Sequence, residues 1–362
     1  MDCIDDNMVV VIMAGGAGTR FWPLSTEERP KQFVRIVHDR SLLQLSYDRV
    51  ASLVPDERII VMTNERFVPL VQEQLPGITA ENIIGEPERK DTAAAVCLAA
   101  LIAKKRFGNP VIVVVTADHV VEPVGVFQRT ILSAVTEARR TGALYTFGIT
   151  PDYPATAYGY VEMGEPIDAE GDVAHYHINS FREKPDEATA KGYVSSGRYL
   201  WNAGMFVWTA DAVLDALKRY LPEHVTELGA AVDTLGTDKW DETLKSRFAA
   251  VNRISIDYAV MEKADNVRCV AGEFSWKDVG GWLAMRDYLP CDRKGNYVKG
   301  CLHTRDARNN LVYCDRPEEV VAVVGLNDIV VVRAGDRTLV ARNDRLEEIK
   351  HIVETMMSEN NQ

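Results

Sequence analysis

Residues 9–32 read VVVIMAGGAGTRFWPLSTEERPKQ. The run Val9–Met13 is short, branched and uncharged, as a strand covered on both faces would be. It ends in the glycine turn Gly15-Gly16-Ala17-Gly18, followed by Thr19, Arg20 and, further on, Lys31. Glycines directly after a strand let backbone N–H groups approach a phosphate closely, because only glycine tolerates the φ values such loops need. Arg20 could then grip polyphosphate oxygens bidentately, with Lys31 acting as a point charge. Pro23 and Pro30 stiffen the chain between the two cations. The turn lacks the Gly-Lys-Ser/Thr ending of a Walker A loop and is not G-x-G-x-x-G. Glycines alone would fit an ordinary turn; it is the flanking cations that argue for a phosphate site.

Beyond this loop, apolar periodicity predicts a helix over Ser41–Leu53, a strand over Arg58–Met62 and a helix over Phe67–Leu75. A strand over Asn82–Gly85 is expected next. An alanine-rich helix, Ala94–Arg106, follows, with Asp91 or Thr92 as its cap. Pro110–Thr116 reads as a strand, Phe127–Thr141 as a helix and Leu144–Ile149 as a strand. Such alternation indicates an α/β domain with a mainly parallel, Rossmann-like sheet. Asp118 follows the strand Pro110–Thr116 directly. Ligands of open α/β sheets bind beyond the carboxyl ends of strands, so Asp118 is a candidate magnesium ligand; a helix cap or surface carboxylate is the plainer alternative. His119 reads as structural.

The chain of 362 residues carries a formal net charge of −12, which argues against a nucleic-acid surface. No stretch reaches the roughly 20 apolar residues that span a bilayer. The start, MDCIDDNM, has neither the basic region nor the apolar core of an export signal. Cys3, Cys97, Cys269, Cys291, Cys301 and Cys314 match no zinc or redox spacing, so they read as reduced thiols in cytoplasm.

The wording GGAGTRFWPLS followed by PKQF resembles the signature of nucleotide-sugar pyrophosphorylases, and is most similar to their mannose-1-phosphate guanylyltransferase branch. The likeness recurs from Ala14 to Trp282: in Tyr158-Gly159-Tyr160-Val161-Glu162, in Phe181-Arg182-Glu183-Lys184-Pro185, in Trp201-Asn202-Ala203-Gly204-Met205-Phe206, and in Ser255–Lys263. The resemblance implies a GT-A-like fold and a reaction of GTP with mannose 1-phosphate giving GDP-mannose and pyrophosphate. It implies nucleotide contacts from Ala14, Gly15, Gly16, Gly18, Thr19, Arg20, Lys31, Glu86, Thr92 and Asp118. Sugar contacts would come from Gly159, Tyr160, Glu162, Glu183, Lys184, Asn202 and Asp257. Asp118 and Asp278 would be the two ligands of Mg2+, and Arg20, Lys31 and Lys184 the cations that carry the chemistry.

The residues themselves fit these roles. Guanine presents two adjacent donors, so a carboxylate such as Glu86 is its natural partner. Asn202 can both donate to and accept from hydroxyls. Tyr158 and Tyr160 would serve equally as packing, and Asp257 equally as a helix cap. Family members more often have Arg-Asn before Thr92-Ala93, where this chain has Lys90-Asp91. Helices are expected over Asp211–Leu221 and Trp240–Phe248, with a link between them.

Near Pro290 the chain changes to short valine runs, Val320–Val324 and Ile329–Val332. We therefore divide it into a catalytic domain, 1–289, and a small all-β domain, 290–362. The resemblance makes the latter left-handed β-helix-like, although no hexapeptide repeat is visible. A terminal amphipathic helix, Arg345–Met357, brings Leu346, Ile349, Val353 and Met356 to one face. It would fold back on its own domain or form a homodimer through the C-terminal domain. A further isomerase domain after it is not expected. Rival readings are a nucleotidyltransferase for glucose 1-phosphate with UTP or dTTP, and a non-catalytic, nucleotide-sugar-binding regulatory homologue. A glycosyltransferase would want a D-x-D motif, which TADHVV lacks.

Overall fold

The computed structural model describes residues 7–16, 18–37 and 39–360. Cys3 lies outside them. The described chain forms two compact units: one of residues up to 15 with 44–277, the other of 16–43 with 278 onward.

The first unit is built on a nine-stranded sheet. In chain order its strands are β1 (Met8–Met13), β2 (Ile59–Asn64), β3 (Ile83–Glu86), β4 (Val111–Thr116), β6 (Leu144–Ile149), β7 (Gly159–Ile167), β8 (His175–Arg182), β9 (Tyr199–Thr209) and β10 (Val267–Gly272); β5 (His119–Glu122) lies outside it and pairs with β11 (Ser275–Asp278). The spatial order is β3-β2-β1-β4-β9-β6-β10-β8-β7. The strands β3, β2, β1 and β4 are parallel, as expected from the alternation, and so are β6 and β10. The remaining pairings, around β7, β8 and β9, are antiparallel, so the sheet is mixed. The physical reason is local: β7 returns to β8 through residues 168–174, too short a link for a parallel crossover.

One face of the sheet is covered by helices Asp91–Phe107, Ala210–Tyr220, Pro222–Asp233 and Trp240–Ala250, which share a core with Phe206 and Trp208 of β9. Helix Val124–Thr141 packs on β4, β9 and β10. Pro222–Asp233 occupies the stretch expected to be a link. Its proline sits in the first turn, where a missing N–H costs nothing. The expected cap of Asp91–Phe107 is corrected too. Lys90 holds the cap position with no side-chain bond. Asp91 instead binds Arg253 at 2.9 Å, and the Thr92 hydroxyl accepts from the Ile256 N–H at 2.9 Å.

The second unit carries two parallel ladders: β12 (Tyr297–Lys299), β14 (Leu311–Cys314) and β16 (Ile329–Ala334) in one, and β13 (Cys301–Arg305) with β15 (Val320–Val324) in the other; β17 (Arg337–Arg342) closes the first ladder antiparallel to β16. Tyr297 pairs with Leu311 and Leu311 with Val330, so successive coils advance 14 and then 19 residues. That unequal step is why no fixed repeat shows in the sequence. Ala307, Val312, Cys314, Val323, Ile329 and Val331 fill the interior. The terminal helix, Ile349–Asn360, buries Ile349 and Val353 against the short 3-10 turn Thr19–Phe21 and leaves Ile352 and Met356 exposed. The five described cysteines are unpaired. Among the described residues, no helix is long and apolar enough to cross a membrane.

Candidate functional site

In the first unit, the carboxyl ends of β1, β2 and β3 meet in register, Met13 beside Met62 and Asn64 beside Glu86. Ala14 leaves β1 with its N–H on the Met62 carbonyl at 2.8 Å, and Thr63 donates to the Ala14 carbonyl at 3.0 Å. Gly15 is thereby delivered beside Glu86; a Cβ at Gly15 would lie 3.8 Å from Glu86 Oε2. The Glu86 Oε1 is buried without a hydrogen-bond partner, and burial pushes its carboxyl up to about 8. An orphaned acceptor of this kind is what a base with N–H donors would satisfy.

Asp118 sits in the turn between β4 and β5, its carboxylate 37% exposed and 3.6 Å from His119 Nε2. The His119 ring is held from its other side. Nδ1 lies 2.6 Å from the Thr116 hydroxyl and accepts from the Trp276 indole at 3.1 Å. Both contacts fix the orientation of the ring.

A polar cluster forms where β7 and β9 run side by side. Gly159 pairs with Asn202. The Asn202 Oδ1 accepts from Thr146 Oγ1 at 2.7 Å and from the Gly204 N–H at 3.1 Å, and its Nδ2 donates to Asp257 Oδ1 at 2.9 Å. Three of the four amide positions are used, which leaves one N–H for a ligand. A Cβ on Gly159 would collide with Glu183 Oε2, so glycine is what lets this carboxylate in. That Oε2 is buried without a partner, while Oε1 binds Lys184 Nζ at 2.8 Å. Burial and the charge of Glu183 raise the Asp257 carboxyl to about 6. Burial alone would lower the Lys184 ammonium, but the hydrogen bond and charge of Glu183 carry it above the ordinary lysine value. Lys184 adopts φ 48°, a left-handed backbone unusual for lysine. Two half-buried carboxylates and one lysine thus share this cluster.

Gly159, Glu183, Lys184, Asn202 and Asp257 are thus brought together, and Thr92, through Ile256, anchors the turn that carries Asp257. Tyr160 and Glu162 are not in this cluster. Alternation along β7 sends them to its other face. There Tyr160 is fully buried against Tyr193, and Glu162 takes Ser180 at 3.1 Å and Arg198 at 3.4 Å. Tyr158 packs among Tyr153, Trp201 and Trp276. Asp257 is not a helix cap; it opens a wide π-helical turn, Asp257–Met261, and its carboxylate accepts from Asn202.

In the second unit, the glycine loop is held from within. The Gly16 carbonyl accepts from Gln32 Nε2 at 3.1 Å, and that of Gly18 accepts from Ser25. Gly18 has φ 59°, and a Cβ there would strike Lys31. Lys31 Nζ lies 3.0 Å from Asp278 Oδ1, with side chains 8% and 29% exposed. Arg20 stands at the surface, 59% exposed and 4.0 Å from Glu347. The Thr19 side chain lies outside the described residues. Below the loop, Trp282 donates to the Trp22 carbonyl at 3.0 Å and packs edge-on against Phe21, and the Tyr313 hydroxyl reaches the Arg35 carbonyl at 3.2 Å. Ser25, Gln32 and Tyr313 fix the loop; the first two lie inside the signature wording without a role assigned to them, and Tyr313 carried no sequence signal.

The first unit thus carries a polar carboxylate–lysine cluster and the second a glycine loop with one buried and one exposed cation. The nucleotidyl transferase family model matches residues 9–294, and a mannose-phosphate isomerase/GMP-like β-helix domain matches 304–356. The chain belongs to the nucleotidyl transferase family. It is 37% identical to the xanthan biosynthesis protein XanB of Xanthomonas campestris pv. campestris (strain B100), over 97% of this chain and 74% of that protein. It is 36% identical to a mannose-1-phosphate guanylyltransferase of Escherichia coli (strain K12), over 96% of this chain and 73% of that one. A crystal structure from Thermus thermophilus, named a mannose-1-phosphate geranyltransferase, superposes with a TM-score of 0.85 at 32% identity, covering 97% of this chain and 99% of that one. Nucleotidyltransferases of this family generally use a divalent metal.

Proposed function

We propose that this chain is a mannose-1-phosphate guanylyltransferase. A 36% likeness to a relative of that name over 96% of this chain, through both the nucleotidyl transferase region and the β-helix, carries the reading. An oxygen of mannose 1-phosphate attacks the α-phosphorus of GTP in line; GDP-mannose forms and pyrophosphate leaves. A sugar phosphate is already anionic near neutral pH, so no strong base is needed. The barrier is the approach of two anions, and catalysis is positioning and charge stabilisation.

In this reading Gly15, Gly16 and Gly18, with Ala14 and Thr19, line the triphosphate. Arg20 and Lys31 neutralise the leaving pyrophosphate. Glu86 reads guanine, and its orphaned buried oxygen supports that role. Lys184 grips the sugar phosphate, Gly159, Glu183, Asn202 and Asp257 orient the hexose, and Tyr160, Glu162 and Thr92 back them. Asp118 and Asp278 would hold the metal. Carboxylate oxygens are the hard donors that Mg2+ prefers, which fits the donor set, and the ion would draw charge from the phosphate oxygens. The catalytic domain runs over 1–289 and the C-terminal domain over 290–362. The enzyme is cytoplasmic. It forms a homodimer through the C-terminal domain; exposed Val320, Val324 and Val340 on the β-helix support an apolar contact there.

The test is a panel of GTP, ATP, UTP and dTTP with mannose 1-phosphate and glucose 1-phosphate. Pyrophosphate release should be fastest with GTP and mannose 1-phosphate. Faster release from UTP or dTTP with glucose 1-phosphate would replace this reading with its nearest rival.

A further inference from the structure

Arg49 is an expensive residue to bury. It lies in helix Leu42–Val50, only 4% of it is exposed, and burial drags its guanidinium down to about 10. No role in the reaction just described uses it. Its bonds go to one place. Nη1 donates to the His119 carbonyl at 2.8 Å, and Nη2 to the Thr116 carbonyl at 3.2 Å. Those two carbonyls flank Ala117-Asp118. A planar fork is the shape that spans both ends of such a turn; a lysine could hold one end at a time.

Neighbouring groups complete the clamp. Ser46, one helical turn before Arg49, donates to the same Thr116 carbonyl at 3.0 Å. The Ala117 N–H binds the Met13 carbonyl at 3.0 Å, tying the turn to the end of β1. Gln128 of helix Val124–Thr141 donates to the Arg49 carbonyl at 2.9 Å, and the guanidinium lies 5.8 Å from the Phe127 ring centre. The charge of Asp118 is the favourable electrostatic partner of this buried cation. The turn carrying Asp118 is therefore tied down on both sides through its backbone.

We propose that Arg49 is a positioning residue for metal binding: it clamps the Thr116–His119 turn so that the Asp118 carboxylate is presented to a divalent cation. The proposal rests on the reading of Asp118 as a metal ligand. Residues behind metal ligands typically contribute about 10–100-fold to metal affinity. Ligands displaced by half an ångström lose much of their function.

The full chain is titrated with Mn2+ alone, followed by its electron paramagnetic resonance signal, for wild type, R49M, R49K and D118N. Melting curves are recorded alongside, together with the KM for mannose 1-phosphate. R49M should bind Mn2+ about tenfold more weakly. Its half-saturating Mg2+ in the assay should rise in step, while its KM for mannose 1-phosphate stays within twofold of wild type. R49K should recover part of the loss. A folded R49M that binds Mn2+ like wild type, beside a D118N that has lost binding, overturns the positioning role alone. A D118N that binds Mn2+ like wild type overturns the reading of Asp118, and the positioning role with it. If R49M fails to fold, S46A and R49K take its place: weakened Mn2+ binding in both supports the clamp, and unchanged binding in both overturns it.

Discussion

Glu86 shows how a single side chain can carry a specificity claim. Its folded carboxyl holds a proton up to about pH 8, against an ordinary 4.5, because burial disfavours the charge. The unfolded chain gives up that proton near 4.5. The stabilising contribution is therefore complete below about 4.5 and is lost as pH rises towards 8. Glu86→Gln should flatten the fall in urea midpoint between those values; an unchanged slope would show that another group sets it. Guanine donors favour the carboxylate form, so GTP binding at pH 7 should release a proton. Calorimetry in buffers of different ionisation enthalpy reads this directly. Wild type should show buffer-dependent heats and Glu86→Gln should not; equal behaviour would remove Glu86 from the base site. Glu86→Gln should also weaken the preference for GTP over ATP, and an unchanged ratio of kcat/KM would count against the role.

Arg20 is the opposite case, exposed and in a long surface ion pair with Glu347, which contributes little to stability. Arg20→Ala should lower turnover by about 2.7–4 kcal/mol of barrier, roughly a hundred- to a thousandfold. Its melting temperature should stay close to wild type. Turnover within threefold of wild type would contradict its role.

At the scale of elements, the β7–β9 pairing makes the polar cluster around Asn202 by leaving out one Cβ. Gly159→Ala would force the Glu183 carboxylate aside and should cost about 1–3 kcal/mol as overpacking, with a raised KM for mannose 1-phosphate. An alanine variant with wild-type KM would mean that Glu183 can move without consequence. The terminal helix gives a second case. Ile349 is buried against the turn that carries Arg20, so Ile349→Ala should destabilise by about 2–5 kcal/mol. Ile352, 53% exposed on the same helix, should tolerate alanine to within about 0.5 kcal/mol. Similar losses for both would mean that the helix docks by another face.

Strands β1, β4 and β6 were legible because buried strands and alanine-rich helices write their period into the chain. Less was legible where tertiary contacts overrode local signals. Asp91 looked like a cap, yet Arg253, far off in sequence, claims its carboxylate. Glu162 belongs to a family motif, but the two-residue period of β7 turns it from the face of Gly159 and Asn202. Arg49 carried no signal, since its partners are backbone carbonyls some 70 residues away.

For the whole molecule, each unit holds its own share of the charge-handling groups. The first carries Asp118, Lys184, Glu183 and Asp257; the second carries Arg20 and the Lys31–Asp278 pair. Lys31 is almost fully buried and pairs with Asp278, so a cation arriving at that carboxylate would compete with the ammonium. The measurement that bears most directly on the account is pyrophosphate release from GTP and mannose 1-phosphate across a Mg2+ titration, for wild type, Asp118→Asn and Asp278→Asn. The account predicts steep dependence on Mg2+ in wild type and near-complete loss of turnover in either variant at any Mg2+ concentration. Release that persists without a divalent cation, or survives both substitutions, would contradict it.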